Sequence, residues 1–329
     1  MKFLIVGLGS IGKRHLRNLR ALEPNAEIAV WRQKNTSDID IPEFADLLFH
    51  SSQQVLEYKP QASIICNPAN LHMETAADLL KAGSHMLIEK PLSNNLDRAA
   101  ELLYKCDAKN LILMVAYCMR FHPSIQAVHH GISEGVIGKV LYAHAEVGQY
   151  LPDWRPESDY RESVSARKNL GGGALLELSH EIDYMRMMLG NPHSVTAKLA
   201  TLSDLEIDVE DTAELLLDFD DGVLANIHLD LIARPASRKV TIRGSKGTIE
   251  ADILKNEVRY FTAKHGEWKI LPLAREWQTN NMYLDMLKNF LLSVKRESAP
   301  RITGMDGVKV LEIIAAARKS ANDGRSVKI

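Results

Sequence analysis

Short apolar runs alternate with amphipathic stretches through the first third of the chain. Residues 2–6, 28–31, 62–66, 85–88 and 111–116 are near-continuous runs of Val, Ile, Leu, Met, Ala and Phe of strand length. Such runs fit strands covered on both faces. Helical spacing of apolar positions falls between them, around 13–22, 72–82 and 95–106. Strand alternating with helix predicts a doubly wound parallel sheet over 1–121. After His122-Pro123 the texture changes. A helix is predicted near 123–134, then strand-like alternation over 139–149, 193–202, 212–219, 223–233, 238–244 and 247–253. Gly222 after Asp220-Asp221, and Gly244 and Gly247 around Ser245-Lys246, read as hairpin turns. Helices at 276–295 and 305–322 and a strand at 327–329 close the chain. The second domain, 122–329, is therefore expected to be α/β with a mostly antiparallel open sheet and a few helices.

Composition narrows the function classes. At 329 residues the chain exceeds the usual size of one core, in line with two domains. Forty Lys and Arg nearly balance 42 Asp and Glu, so bulk charge gives no reason to expect a nucleic-acid or anionic-membrane partner. The three cysteines, Cys66, Cys106 and Cys118, form neither a CxxC pair nor a zinc-ligand spacing. No metal is expected, and a reducing, cytoplasmic compartment fits best. Met1 to Val6 run straight into a strand-like segment without the features of a signal peptide, and no apolar stretch approaches the roughly 18 to 20 residues of a membrane span.

Gly7-Leu8-Gly9-Ser10-Ile11-Gly12 is a GxGxxG between the first strand-like run and the amphipathic segment KRHLRNLRAL. In that context Gly7 makes a tight turn, Gly9 lets the backbone approach a pyrophosphate, and Gly12 allows close helix–strand packing. Ser10 and Ile11 supply main-chain N–H groups at the helix N-terminus. This is the signature of a Rossmann dinucleotide site. About 20 residues on, where an acid selects NAD through the ribose 2′-hydroxyl, the sequence reads Val30-Trp31-Arg32-Gln33-Lys34. A guanidinium at Arg32 suits a 2′-phosphate, so NADP is the preferred cofactor and NAD the second choice. The other reading is that Arg32 and Lys34 form a solvated strand end.

Glu89-Lys90-Pro91 stands at the end of the 85–88 strand, and ligands of open α/β sheets sit beyond the carboxyl ends of the strands. With GLGSIG, ICNPANLH, AGSHMLIEKPLS, AYCMRFHP and LGGGALLELSHEID the chain resembles, over nearly its whole length, the glucose–fructose oxidoreductase and inositol dehydrogenase family, Gfo/Idh/MocA. The resemblance implies a nicotinamide-dependent oxidoreductase moving a hydride to or from a sugar-like hydroxyl or carbonyl. It implies that Lys90 lies beside the nicotinamide, assists the proton transfer and precedes a cis proline bond. It also implies that Glu89, Asn67, Pro68 and His72 line the dinucleotide. A lysine with a lowered pKa serves as a base and an ammonium as a proton donor; the sequence leaves both open. An Asn-Pro turn with a helix cap is the alternative for Asn67, Pro68 and His72.

Leu175, Leu178, Ile182, Met185 and Leu189 make one stripe of a helix after the glycine triplet 171–173. Stepping 100° per residue sets His180 opposite, with Glu177 and Asp183 to either side. The resemblance makes His180 a second proton-handling group. Relatives carry an aspartate four residues before it, where this chain has Leu176, so Glu177 either replaces that acid or the role is lost. Asp183 faces substrate or is a buried structural partner. In the polar stretch 152–173, Trp154-Arg155 resembles a family pair near the nicotinamide. Arg161, Arg167 and Lys168 add positive charge suited to a nucleotide-linked sugar, or else form a solvated basic loop. Arg120-Phe121-His122 matches a substrate-facing segment or is a hinge. ELSHEIDYMRMMLG resembles members of surface-polysaccharide or nonulosonate sugar synthesis. A non-catalytic NADP-sensing regulator and an imine or trans-dihydrodiol reductase are the rival readings. An apolar open sheet face in the second domain would seek a homodimer or homotetramer partner.

Overall fold

The computed structural model describes residues 1–32, 40–273 and 277–329. It divides into two units, Met1–Cys118 with Thr279–Val308, and Met119–Gln278 with Lys309–Ile329. Gln33 and Lys34 lie outside the described residues, as does position 276 of the expected helix at 276–295.

The first unit runs β1 (Lys2–Val6), α1 (Ser10–Leu22), β2 (Glu27–Trp31), β3 (Leu47–Phe49), α2 (Ser52–Tyr58), β4 (Ala62–Ile65), α3 (His72–Ala82), β5 (His85–Ile88), α4 (Ala99–Ala108) and β6 (Leu113–Val115). All its strand pairs are parallel, in the order β3-β2-β1-β4-β5-β6. Leu4, Ile5, Ile64, Ile65, Leu87 and Ile88 are buried, as strands covered on both faces must be. The order reverses between β1 and β4, which puts the crevice of a doubly wound sheet at Gly7 and Asn67, just beyond the carboxyl ends of those strands. The sequence pattern misses β3 and α2. β3 has three partly exposed residues, and α2, SQQVLEY, is mostly polar and begins with a Ser51–Gln54 capping box instead of an apolar signal.

The second unit holds α5 (Pro123–Ser133), β7 (Val140–Gly148), α6 (Ala174–Glu177), α7 (His180–Leu189), β8 (Ser194–Ala200), β9 (Thr212–Asp218), β10 (Leu224–Asp230), β11 (Ser237–Gly244), β12 (Gly247–Asp252), β13 (Glu257–Thr262), β14 (Trp268–Leu271) and β15 (Val327–Lys328). Its sheet order is β14-β13-β12-β11-β7-β10-β9-β8-β15, antiparallel throughout except for the parallel β7/β10 pair. Ala143, Ala145, Ala213, Leu215, Ile227, Leu229, Val240 and Ile242 form one buried face, with α5 and α7 packed on that sheet. The alternate positions correct the expectation of an apolar open face. At its centre stand His144, Glu146, Glu214, Asn226 and His228, all partly exposed: Asn226 bonds to His144 and Glu214 and His228 to Glu214 across strands, and Glu146 pairs with His144 along β7. Exposed apolar side chains on that face lie outside this cluster, at Leu216, Leu224, Trp268 and Ile270.

After β14 the chain returns to the first unit as α8 (Asn280–Val294), whose Met286, Leu287 and Phe290 are fully buried, and α9 (Gly304–Asp323) begins there. The 1–121 and 122–329 division expected from the sequence therefore omits the segment Thr279–Val308 from the first unit.

Candidate active site

In the first unit the glycine loop is held by main-chain geometry. Gly7 has φ +86°, a left-handed conformation that favours glycine, and its amide donates to the Trp31 carbonyl (2.9 Å) at the end of β2. A Cβ on Gly12 would collide with the Gly7 carbonyl oxygen, whereas one on Gly9 would meet nothing within 4 Å. Gly9 is the N-cap of α1 and supplies no side-chain cap, and the first turn holds no acidic residue, so the N–H groups at Ser10 and Ile11 are left for an anion. A dinucleotide fits this cradle: close approach is open above Gly9, while Gly7 and Gly12 are packed from behind. Arg32 follows Trp31 directly and is partly exposed; its amide donates to the Phe49 carbonyl (3.1 Å).

Two buried histidines shape the adjacent loops. His72, 1% exposed, directs Nε2 at the Asn67 carbonyl (2.8 Å) and Nδ1 at the Pro91 carbonyl (3.0 Å), joining the loops after β4 and β5. Burial pushes its pKa down, against the pull of those carbonyls. Its contribution at the expected dinucleotide site is thus to hold the loops. Asn67 Nδ2 donates to Thr75 Oγ1 (2.8 Å), while Asn67 Oδ1 is buried with no hydrogen-bond partner among the described residues. That spare acceptor and the partly exposed Pro68 border the glycine turn, since a Cβ on Gly7 would approach the Asn67 nitrogen to 3.0 Å. Lys90 is partly exposed, and the Lys90–Pro91 bond is cis. Glu89 Oε2 accepts from the Lys90 amide (3.2 Å) and Oε1 from His15 Nε2 (2.7 Å). The sequence reading overlooks His15. Its signal is a histidine three residues after Gly12, on the same face of an otherwise basic helix.

In the second unit the helix expected after the glycine triplet is broken. α6 ends at Glu177, Leu178 and Ser179 leave the regular path, and His180 starts α7. Apolar periodicity runs on through the break, so the pattern does not reveal it. From Gly171 to Met185 only Glu177 and His180 are not buried. Asp183 is not on an exposed face: its carboxylate takes two bonds from the buried Arg120, from Nε at 2.8 Å and Nη2 at 2.6 Å. Glu181 is bound likewise by Arg238 (2.6 and 2.9 Å) and by Tyr184. Burial pushes both carboxyls up and the guanidinium beside each works against it. Asp183 thus matches the second of its two expected readings, a buried structural partner, and the substrate role expected for Arg120 is corrected, because its guanidinium is committed to that buried bidentate pair.

The stretch 152–173 consists of short 3₁₀ turns in which Ser165 and Ala166 are buried. Leu151, Trp154, Arg155, Ser158, Tyr160, Ser163 and Ser165 line a shallow hollow. The indole N–H of Trp154 donates to the Gln149 carbonyl (3.0 Å), and Ser165 Oγ donates to Glu177 Oε2 (3.2 Å), tying this stretch to α6. Arg155 is exposed and Arg167 partly so, while Arg161 pairs with Asp159 and Glu206.

Residues 1–117 match the domain described as "Oxidoreductase family, NAD-binding Rossmann fold" and residues 130–329 the "Oxidoreductase family, C-terminal alpha/beta domain". The chain is 28% identical to myo-inositol 2-dehydrogenase of Thermotoga maritima, over 100% of this chain and 98% of that protein. Levoglucosan dehydrogenase in complex with NADH superimposes with a TM-score of 0.89 at 19% identity, covering 100% of this chain and 99% of that one. The WlbA dehydrogenase from Bordetella pertussis, in complex with NADH and UDP-GlcNAcA, superimposes at 0.82 with 23% identity, over 100% and 97%. At such identities the superpositions speak for the fold. Among the described residues no helix is long and apolar enough to cross a membrane. With both domains matched, the chain belongs to the Gfo/Idh/MocA oxidoreductase family, with an NAD-binding Rossmann domain followed by an α/β domain.

Proposed function

We propose that this oxidoreductase acts on a hydroxyl-bearing carbon of a sugar or nucleotide-linked sugar, with NADP as the preferred cofactor. The observation that carries the reading is a lysine, Lys90, at the carboxyl end of β5 in the unit that holds the glycine cradle. The names of the relatives, an inositol dehydrogenase and a levoglucosan dehydrogenase among them, support the substrate class. Gly7, Gly9, Ser10, Ile11 and Gly12 bind the pyrophosphate, Arg32 the adenosine ribose, and Asn67 and Pro68 line the dinucleotide, with His72 and Glu89 holding the loops. The nicotinamide, when bound, takes or gives the hydride. Lys90 exchanges the proton of the reacting hydroxyl, His180 assists it, and Glu177 stands in for the aspartate at Leu176. Trp154, Arg155 and Arg167 recognise the substrate. A surface-polysaccharide precursor is the first class to screen. The protein works in the cytoplasm, as a homodimer or homotetramer joined through the nine-stranded sheet.

The test is a screen of polyols, sugars and nucleotide sugars for change in nicotinamide absorbance, followed by substitution. Lys90→Ala lowers kcat by about 10² to 10⁴-fold with cofactor affinity nearly intact, and His180→Ala also acts mainly on kcat. The double variant is little worse than Lys90→Ala. Near-normal kcat with a raised KM in Lys90→Ala makes that lysine a binding group only.

A further inference from the structure

We propose that His15 is a positioning residue for Lys90: it grips Glu89 so that the second carboxylate oxygen fixes the Lys90 main chain. The inference rests on the reading that Lys90 handles the substrate proton. His15 is 0% exposed and Glu89 is 9% exposed, so neither side chain is held by bulk water. A carboxylate oxygen accepts, hence His15 Nε2 donates in the 2.7 Å bond to Oε1. His15 Nδ1 is buried without a hydrogen-bond partner among the described residues, which fits the tautomer with its proton on Nε2. With Oε1 taken, Oε2 meets the Lys90 amide at 3.2 Å.

His15 has few ways to move. The Tyr283 ring of α8 stands edge-on to it, centroids 6.3 Å apart and planes at 78°, and the Arg14 guanidinium lies 4.5 Å from the centroid of that tyrosine. His15 also sits one turn after Gly12 on α1, the helix whose N-terminus closes the glycine cradle. One side chain thus refers the lysine turn to the cofactor-binding helix, and a change of helix position is passed to Lys90 through two bonds. A chemically inert core histidine would need neither the carboxylate nor this placement.

The test compares His15→Ala with His15→Gln, whose amide donates from nearly the same place as Nε2. Hydrogen exchange at the Lys90 amide, kcat, cofactor affinity and Tm are read in parallel. In His15→Ala the Lys90 amide exchanges at least about tenfold faster and kcat falls about tenfold, with cofactor Kd within about threefold of the parent. His15→Gln restores exchange and kcat to within about threefold. Unchanged Lys90 exchange in His15→Ala overturns the proposal. So does a His15→Gln protein as impaired as His15→Ala with Tm and cofactor affinity falling together, because that pattern belongs to packing alone. Faster exchange with undiminished kcat upholds the positioning role and instead removes Lys90 from the chemistry.

Discussion

Arg32 follows Trp31, whose carbonyl takes the Gly7 amide, so the guanidinium starts from the rim of the glycine turn. If it grips a ribose 2′-phosphate, Arg32→Asp removes a charge-assisted pair and adds repulsion. NADPH affinity then falls about 10- to 100-fold, from a charged hydrogen bond of roughly 1.5–3 kcal/mol, while NADH affinity holds or improves. Fluorescence titration of both cofactors checks this, and equal parent affinities unmoved by the substitution would remove the role. Legibility also differs residue by residue. Gly7 and Gly12 were readable because only a missing side chain satisfies their positions, one through φ and the other through the Gly7 carbonyl. Arg120 and Asp183 stayed open between substrate contact and a structural role because a buried charge pair leaves the same letters in a sequence as two solvated residues.

Among elements, β9 and β10 are joined on the polar sheet face by His228, whose Nδ1 meets Glu214 (2.5 Å) and Nε2 meets Asp230 (2.8 Å). Its pKa is pushed up to about 9, first by the bond to Asp230 and then by Glu214, against partial burial. In the unfolded chain the same ring loses its proton near 6.5. The stabilisation is therefore whole below pH 6.5 and disappears as pH rises through about 9. With the side chain 32% exposed, we expect on the order of 1–2 kcal/mol after allowing for solvent screening. Denaturant midpoints at pH 6 and pH 9.5 check it: the parent loses that stability on alkalinisation, and His228→Gln loses much less. Elements with strong periodicity, such as β1, β4 and α3, were legible. The α6–α7 break was not, since buried residues continue on both sides of Leu178 and Ser179 and nothing but backbone geometry marks the interruption.

For the whole molecule, the proposed oligomer has to be reconciled with a sheet face that is polar at its centre. Leu216, Leu224, Trp268 and Ile270 supply exposed apolar contacts around that cluster, enough to seed a mixed interface of the kind that buries about 1,600 Å². Leu216→Glu with Ile270→Glu should convert the assembly to monomers without lowering cofactor affinity, as read by light scattering and titration. A monomeric parent at micromolar concentration would sink the assignment. The domain order was legible because parallel and antiparallel sheets leave different periodicities. The return of α8 was not, because an amphipathic helix does not announce which partner its apolar face will find.

That return governs the order in which the protein can be made. Residues 1–118 leave the ribosome first, yet Asn18 awaits Asn280 and His15 awaits Tyr283, from a segment that follows about 160 residues later. At roughly 5–20 residues per second the delay is about 8–32 s. Throughout it the nascent nucleotide fold carries an uncovered helix face, while the strands of the second sheet are already emerging. Thirty late residues, Thr279–Val308, thus complete the unit that residues 1–118 begin, and a polypeptide cut short before residue 279 lacks the helix that closes its own N-terminal core.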